Sequence, residues 1–147
     1  MILLAAAAVT LWFGEEGAAS GRLHATSKVT HTAVASTPAD QVALNWLHLC
    51  DRQEWAECWR EADARFKSAI SETGFAATAE NVRELVGPVS SRNLVTVAPC
   101  GSAPGLSPGD CVNVVFRTDF ARKKGATETV TLAREGSDWK VIGHHIL

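Results

Sequence analysis

The residues best suited by type to act as a general base or a metal ligand are two adjacent histidines, His144 and His145, in a chain of 147 residues. Neighbours on a strand point to opposite faces, so one of the two at most enters any given cavity. His145 shares parity with Trp139 and Val141, and His144 with Ile142 and Ile146. His24, His31 and His48 are too scattered to complete a site with them, so the pair reads as chain-end surface or as partly covered. Asp119 and Glu128 could divide acid and base roles. Arg117, Arg122, Lys123 and Lys124 lie close by in sequence, and charge pairing around a solvated turn accounts for both acids more simply. Ser90-Ser91-Arg92 offers a guanidinium fork to an anion, but its place directly after Gly87-Pro88 favours a structural salt bridge or backbone hydrogen bonds. The chain has no G-x-S-x-G, H-E-x-x-H, P-loop or G-x-G-x-x-G pattern. No catalytic residue, metal set or cofactor is assigned.

The four cysteines contain no C-x-x-C pair, which argues against zinc. Cys100 and Cys111 bracket a Gly-Ser-Ala-Pro-Gly-Leu-Ser-Pro-Gly-Asp loop whose ends must return to neighbouring strands if the flanking runs pair, so a disulfide across it is natural. Cys50 and Cys58 would pair by elimination. Cys58 lies about two turns into its helix, so a tight antiparallel turn sets it too far from Cys50, whereas a steep crossing brings the two within reach.

The elements that position these residues follow from periodicity. Thr37, Pro38 and Asp40 supply an N-cap, a first-turn proline and a first-turn acid, and Val42, Trp46 and Leu49 continue as an apolar stripe expected to stop near Asp51. Asp51 and Glu54 repeat the capping-box pattern, and Trp55, Trp59, Ala62, Phe66 and Ala69 recur at helical spacing, predicting one second helix. Its other face, with Glu57, Arg60, Glu61, Arg65 and Lys67, is assigned to solvent. A third helix over Phe75 to Val86 turns Ala79, Val82, Leu85 and Val86 inward and ends at Gly87-Pro88.

From Val89 the period moves toward two. Val89, Ser91, Asn93, Val95 and Val97 share one face of a first strand, and Val112, Val114, Phe116 and Phe120 one face of a second. Val130 and Leu132 alternate with Thr129 and Thr131 in a third strand, and a fourth starts at Trp139. The fold class is therefore α+β: three N-terminal helices on one face of a four-stranded antiparallel meander, in a single domain over residues 37–147. Trp46, Trp55, Trp59 and Trp139 are assigned to the core.

Ile2 to Phe13 is an apolar run well short of the ~20 residues that span a bilayer as a helix, as in a secretory leader. No Lys or Arg precedes it and Glu15-Glu16 follow, so cleaved leader and retained anchor both stay open, with small residues suited to cleavage at Ala18 and Ser20 and an Ala33-Val34-Ala35 triplet that lies too far beyond the run. Residues 1–36 are thus leader or anchor plus linker, and the domain is expected to be exported, periplasmic or extracellular. With 14 Lys+Arg against 16 Asp+Glu and a net charge of -2, no basic excess exists to hold nucleic acid.

The order Trp46-Leu47, Cys58-Trp59, Phe66, Val82-Arg83, Leu85, Gly87, Ser91-Arg92, Pro104-Gly105, Phe116, Phe120, Glu128-Thr129-Val130 and Trp139-Lys140-Val141-Ile142-Gly143 resembles the bacterial domain-of-unknown-function family 4019 over roughly Ala39 to Leu147. The resemblance implies a small, generally exported domain, related in shape to nuclear-transport-factor-two-like and cystatin-like cones, with no assigned activity. Cys58 stands where the family tends to carry Ser, Cys111 where it commonly has Tyr, and His144-His145 where it tends to end in aromatic residues.

Function is then expected to reside in binding a small ligand or another protein. Arg92, Leu94, Thr96, Arg117 and Asp119, read as facing away from the helices, form the candidate surface together with His144 and His145, and the outer sheet face could pair with a second copy. The rivals are a cone-fold enzyme with an Asp or His proton-transfer site and a membrane-anchored accessory domain.

Overall fold

A computed structural model describes residues 2–4, 38–101 and 105–147. Four helices, α1 (Pro38–Asp51), α2 (Trp55–Glu61), α3 (Ala64–Ala69) and α4 (Glu72–Val86), precede an antiparallel meander of β2 (Val89–Pro99), β3 (Cys111–Phe120), β4 (Ala126–Glu135) and β5 (Asp138–Ile146). A three-residue strand, β1 (Ile2–Leu4), adds antiparallel to β5, giving the order β1-β5-β4-β3-β2. The rest of the leader-or-anchor segment and Thr37 lie outside the described residues. The α+β class and the four-strand meander are as the sequence predicts.

The helices cover one face of the sheet. Leu47, Phe66, Phe75, Val114, Phe120, Val130, Leu132 and Val141 are fully enclosed between the two layers. Three aromatic rings, Trp46, Phe66 and Phe75, meet edge-on or tilted at 5.3 to 6.4 Å between centroids. Burial of such side chains is the dominant stabilising term, about 1.5 to 3 kcal/mol for each large one. Trp55, Trp59 and Trp139 pack against this cluster while half-buried. Gly87 ends α4 at φ 80°, donating its N–H to the Arg83 carbonyl at 2.8 Å. A Cβ there would meet that of Ala121 at 3.1 Å, so glycine is required by conformation and by space.

Three helix expectations need correction. The second helix is broken into α2 and α3, because Asp63 takes an extended conformation, accepts the Arg65 N–H at 2.7 Å as the N-cap of α3, and gives its own N–H to the Val141 carbonyl of β5 at 2.9 Å. On either side of the break Glu61 pairs with Lys140 and Arg65 with Asp63. Asp51 caps nothing, since the N-cap of α2 is Glu54 without a side-chain bond. Leu85 is 64% exposed, because α4 runs from a Ser71 cap and turns Phe75, Ala79, Val82 and Val86 to the core.

The strand faces also shift. Irregularities in the β2–β3 register between Val89 and Ser91 and between Leu94 and Thr96 each insert a residue and reverse parity. Arg92 and Leu94 therefore stand opposite Thr118 and Phe116 on the helix-facing side, and Val95 is exposed. In β5 a third irregularity beside Thr131 places Val141 and His144 on the same inner face, three positions apart.

Candidate functional site

Under the helices, β2, β3, β4 and β5 each contribute one polar side chain to a buried cluster. Glu128 on β4 is enclosed, contrary to its assignment to a solvated turn. Its Oε2 accepts from Arg92 Nε at 2.7 Å and from Thr118 Oγ1 at 2.7 Å. Its Oε1 accepts from His144 Nε2 at 3.1 Å and, more distantly, from Arg92 Nη2 at 3.4 Å. Arg92 then reaches Asp51 at the last residue of α1, with Nη1 to Oδ2 at 2.7 Å and Nη2 to Oδ1 at 3.0 Å. From α4, Arg83 adds a bond to Asp51 Oδ1 at 3.1 Å and to the Cys50 and Gly87 carbonyls at 3.2 and 3.3 Å. Arg92 thus fills both forks of its guanidinium with carboxylates while its side chain is only 6% exposed.

Burial by itself raises the pKa of a carboxyl, and at Glu128 the hydrogen bond and charge of His144, with those of Arg92, outweigh it and lower the value to about 2. Burial likewise opposes the Arg92 charge, and its bonds to Asp51 and Glu128 more than offset that, raising its pKa. Among the described residues no buried side-chain nitrogen or oxygen lacks a partner. Trp46 caps the cluster, its ring 5.4 Å from that of His144 and its Nε1 donating to the Cys58 carbonyl at 2.8 Å.

The seven residues put forward as a binding surface are therefore not one surface. Arg92 and His144 lie inside the cluster, which corrects the outward placement of Arg92 and the reading of His144 as chain-end surface or partly covered. Leu94, opposite Phe116, is 41% exposed at the uncovered edge of the inner face, so it too was assigned to the wrong side. Thr96 and Arg117 are exposed, and Asp119 accepts the Gly125 N–H at 2.7 Å to brace the β3–β4 turn. His145 is half-buried, its pKa lowered by burial and by His144. Glu128 shares the parity of Val130 and Leu132, but parity arithmetic on unbroken strands misses the turn of Arg92 and His144 toward it, and only a signal for the bulges in β2 and β5 would have found them.

A small hollow adjoins this cluster, and an open groove lies apart from its charged residues. The first, about 20 Å³, lies between α4 and β5 beside His144, Cys50 and Arg83, with room for about one water. The second is an open groove of about 640 Å³ between α1, α2 and the β4–β5 hairpin. Val42, Trp46, Leu49, Trp139 and Val141 make its apolar floor, and His48, Arg52, Glu57, Glu61, Asp138 and Lys140 its charged rim. The Arg134 guanidinium lies over the Trp139 ring, 4.5 Å from its centroid.

At one end of the sheet the Cys100–Cys111 disulfide closes the β2–β3 loop with Cα atoms 5.4 Å apart, supported by the Cys100 N–H to Cys111 carbonyl bond at 3.1 Å. Cys50 and Cys58 are brought together as thiols, Sγ to Sγ 3.2 Å. No group of three or more His, Cys, Asp or Glu side chains able to hold a metal occurs among the described residues.

A four-helix layer on an antiparallel meander, tied by one disulfide and centred on a saturated ion cluster, defines a small α+β domain. The chain belongs to the family described as "Protein of unknown function (DUF4019)", whose model matches residues 42–144. No curated protein matches. Among solved structures, "Structure of Bdellovibrio bacteriovorus Bd1075" aligns at 13% identity with a TM-score of 0.45, over 72% of this chain and 37% of that one. The chain thus spans little more than a third of that structure.

Proposed function

We propose that this domain is a non-catalytic binding module, and that the groove between α1, α2 and the β4–β5 hairpin takes a short extended segment of another protein. The observation that carries this reading is the contrast between the two polar regions of the molecule. The Asp51–Arg92–Glu128–His144 cluster has its hydrogen-bonding capacity taken up internally, and the hollow beside it has no room for a substrate. The groove instead presents apolar surface and charges of both signs to the outside. Its volume falls within the range of about 300 to 1,000 Å³ seen for ligand sites, but small-molecule pockets bury most of their ligand. An open groove suits a chain that runs along it, lays an apolar side chain on Trp139 and Leu49, and matches its own charges to the rim.

Export is part of the proposal. A disulfide persists in oxidising compartments, and Cys100–Cys111 agrees with one. Among the described residues no helix is long and apolar enough to cross a membrane.

The test is selection of displayed peptides on the folded chain, followed by titration of the enriched sequences against the wild type and two groove variants, Trp139→Ala and Glu61→Lys. Enriched peptides should bind the wild type and lose about tenfold or more on Trp139→Ala, the scale of one interface anchor. Peptides that bind all three proteins equally, or a selection that enriches nothing, would overturn the reading.

A further inference from the structure

We propose that Cys50 and Cys58 close to a second disulfide that locks α2 onto α1. Cys50 sits in the last turn of α1 and Cys58 in the first turn of α2, and their sulfurs face each other at 3.2 Å inside the core. Bond formation needs an approach of about 1.2 Å to the usual 2.05 Å, within the reach of small side-chain rotations. The setting is specific to this pair. The two helices are joined by a three-residue turn, Arg52 to Glu54, with Gln53 at φ 60°, a left-handed conformation uncommon for a residue with a side chain. Glu54 contributes no side-chain cap, so α2 is a seven-residue helix held at its start by packing and by the Cys58 N–H to Glu54 carbonyl bond. A covalent tie at this point adds to the backbone bonds from Arg52, Gln53 and Glu54 to the last turn of α1 and secures a helix start that has no side-chain cap.

The chemistry is thiol–disulfide exchange with a small disulfide oxidant such as oxidised glutathione. One cysteine, as thiolate, attacks the oxidant's S–S bond, forming a mixed disulfide and releasing one thiol. The second cysteine, as thiolate, attacks the protein sulfur of that mixed disulfide, forming Cys50–Cys58 and releasing the second thiol. Two protons leave the pair and two electrons reduce the oxidant, so the balance is closed. Within the closed fold burial, the Cys58 contact and nearby charge push the Cys50 thiol pKa up, and neither sulfur is open to solvent. Exchange therefore takes place while α2 is lifted, during folding or by local opening, and stops once the helix is seated.

The consequence for the groove rests on the binding reading above. Leu49 and Arg52 from the α1 side and Glu57 and Glu61 from α2 lie on the two parts that the bridge would join, so oxidation fixes the spacing of that wall.

The experiment uses the full chain refolded in a glutathione redox buffer, then denatured without reductant and alkylated. The bridged protein should take up no alkyl group, weigh four hydrogens less than the fully reduced chain, and yield a proteolytic fragment joining Cys50 to Cys58. Alkylation at Cys50 and Cys58 with Cys100–Cys111 intact would overturn the proposal, as would bridges crossing between the two pairs. Amide hydrogen exchange on the folded oxidised protein and on a Cys50→Ser/Cys58→Ser variant reads the lock without any ligand. Exchange across Trp55 to Glu61 should be about tenfold slower with the bridge. Equal exchange would overturn the lock even where the bond forms. Peptide titration of the same two proteins reads the groove separately, so a failed groove leaves the bridge decided by mass and exchange.

Discussion

Arg92 and Glu128, 36 positions apart in sequence, meet between the layers with Nε and Oε2 at 2.7 Å, and each is also bound to a further charged or polar group. Losing either partner leaves the other's charge only partly compensated, by Asp51 for Arg92 or by His144 and Thr118 for Glu128, in a place from which water is excluded. Removing one member of such a buried pair costs about 3 to 5 kcal/mol. Glu128→Gln, which keeps shape and removes charge, should lower the unfolding free energy in urea by about 3 kcal/mol. Asp119→Asn, at the solvated end of the neighbouring strand, should cost less than about 1 kcal/mol.

Acid should unfold the domain through the same residue. Glu128 titrates near 4.5 when unpaired and near 2 in the fold, so between those values the unfolded chain binds more protons and stability rises with pH. The contribution, about 3 kcal/mol, is fully present above pH ~4.5 and is lost as pH falls toward ~2. A stability series over that window should slope accordingly in the wild type. Glu128→Gln should flatten the slope.

The break between α2 and α3 depends on Asp63. Its carboxylate caps the second of the two helices and is almost wholly buried, so Asp63→Ala should cost about 1 to 2 kcal/mol. Thermal denaturation followed by circular dichroism would read this as a lowered midpoint with little change in native helicity.

The Cys100–Cys111 bridge closes a loop with a sequence separation of 11. In the chain-entropy model a loop of that size is worth about 3 kcal/mol, and the double replacement Cys100→Ala/Cys111→Ala should lose that much in denaturant melts. The variant should keep its sheet signal in native buffer, because the hairpin is also held by the β2–β3 backbone ladder.

Much of the architecture is legible in the sequence because burial imposes period. The stripe through Val42, Trp46 and Leu49, the stop at Gly87-Pro88 and the alternation in β3 and β4 each follow from one face meeting a core. Residues that interrupt a period are not legible that way. Asp63 splits an apparently continuous helix because its side chain caps locally and its N–H is taken by β5, a strand 78 positions later. Arg92 turns inward because bulges set by pairing with β3 reverse parity, and the same kind of irregularity in β5 brings His144 under Trp46. Glu128 looks like a turn acid until the partners that neutralise it, 36 positions before and 16 after, are placed beside it. The groove is assembled from α1, α2 and a distant hairpin, so no local pattern announces it.

The division between a structural ion cluster and a binding groove is tested most directly by measuring peptide affinity and unfolding free energy together on Trp139→Ala and Glu128→Gln. Trp139→Ala should lose about tenfold or more in affinity for a selected peptide while remaining folded. Glu128→Gln should lose about 3 kcal/mol of stability and, under conditions where it is folded, bind as the wild type does. Wild-type affinity in Trp139→Ala, with binding abolished in a stably folded Glu128→Gln, would contradict the account and move the site to the buried cluster.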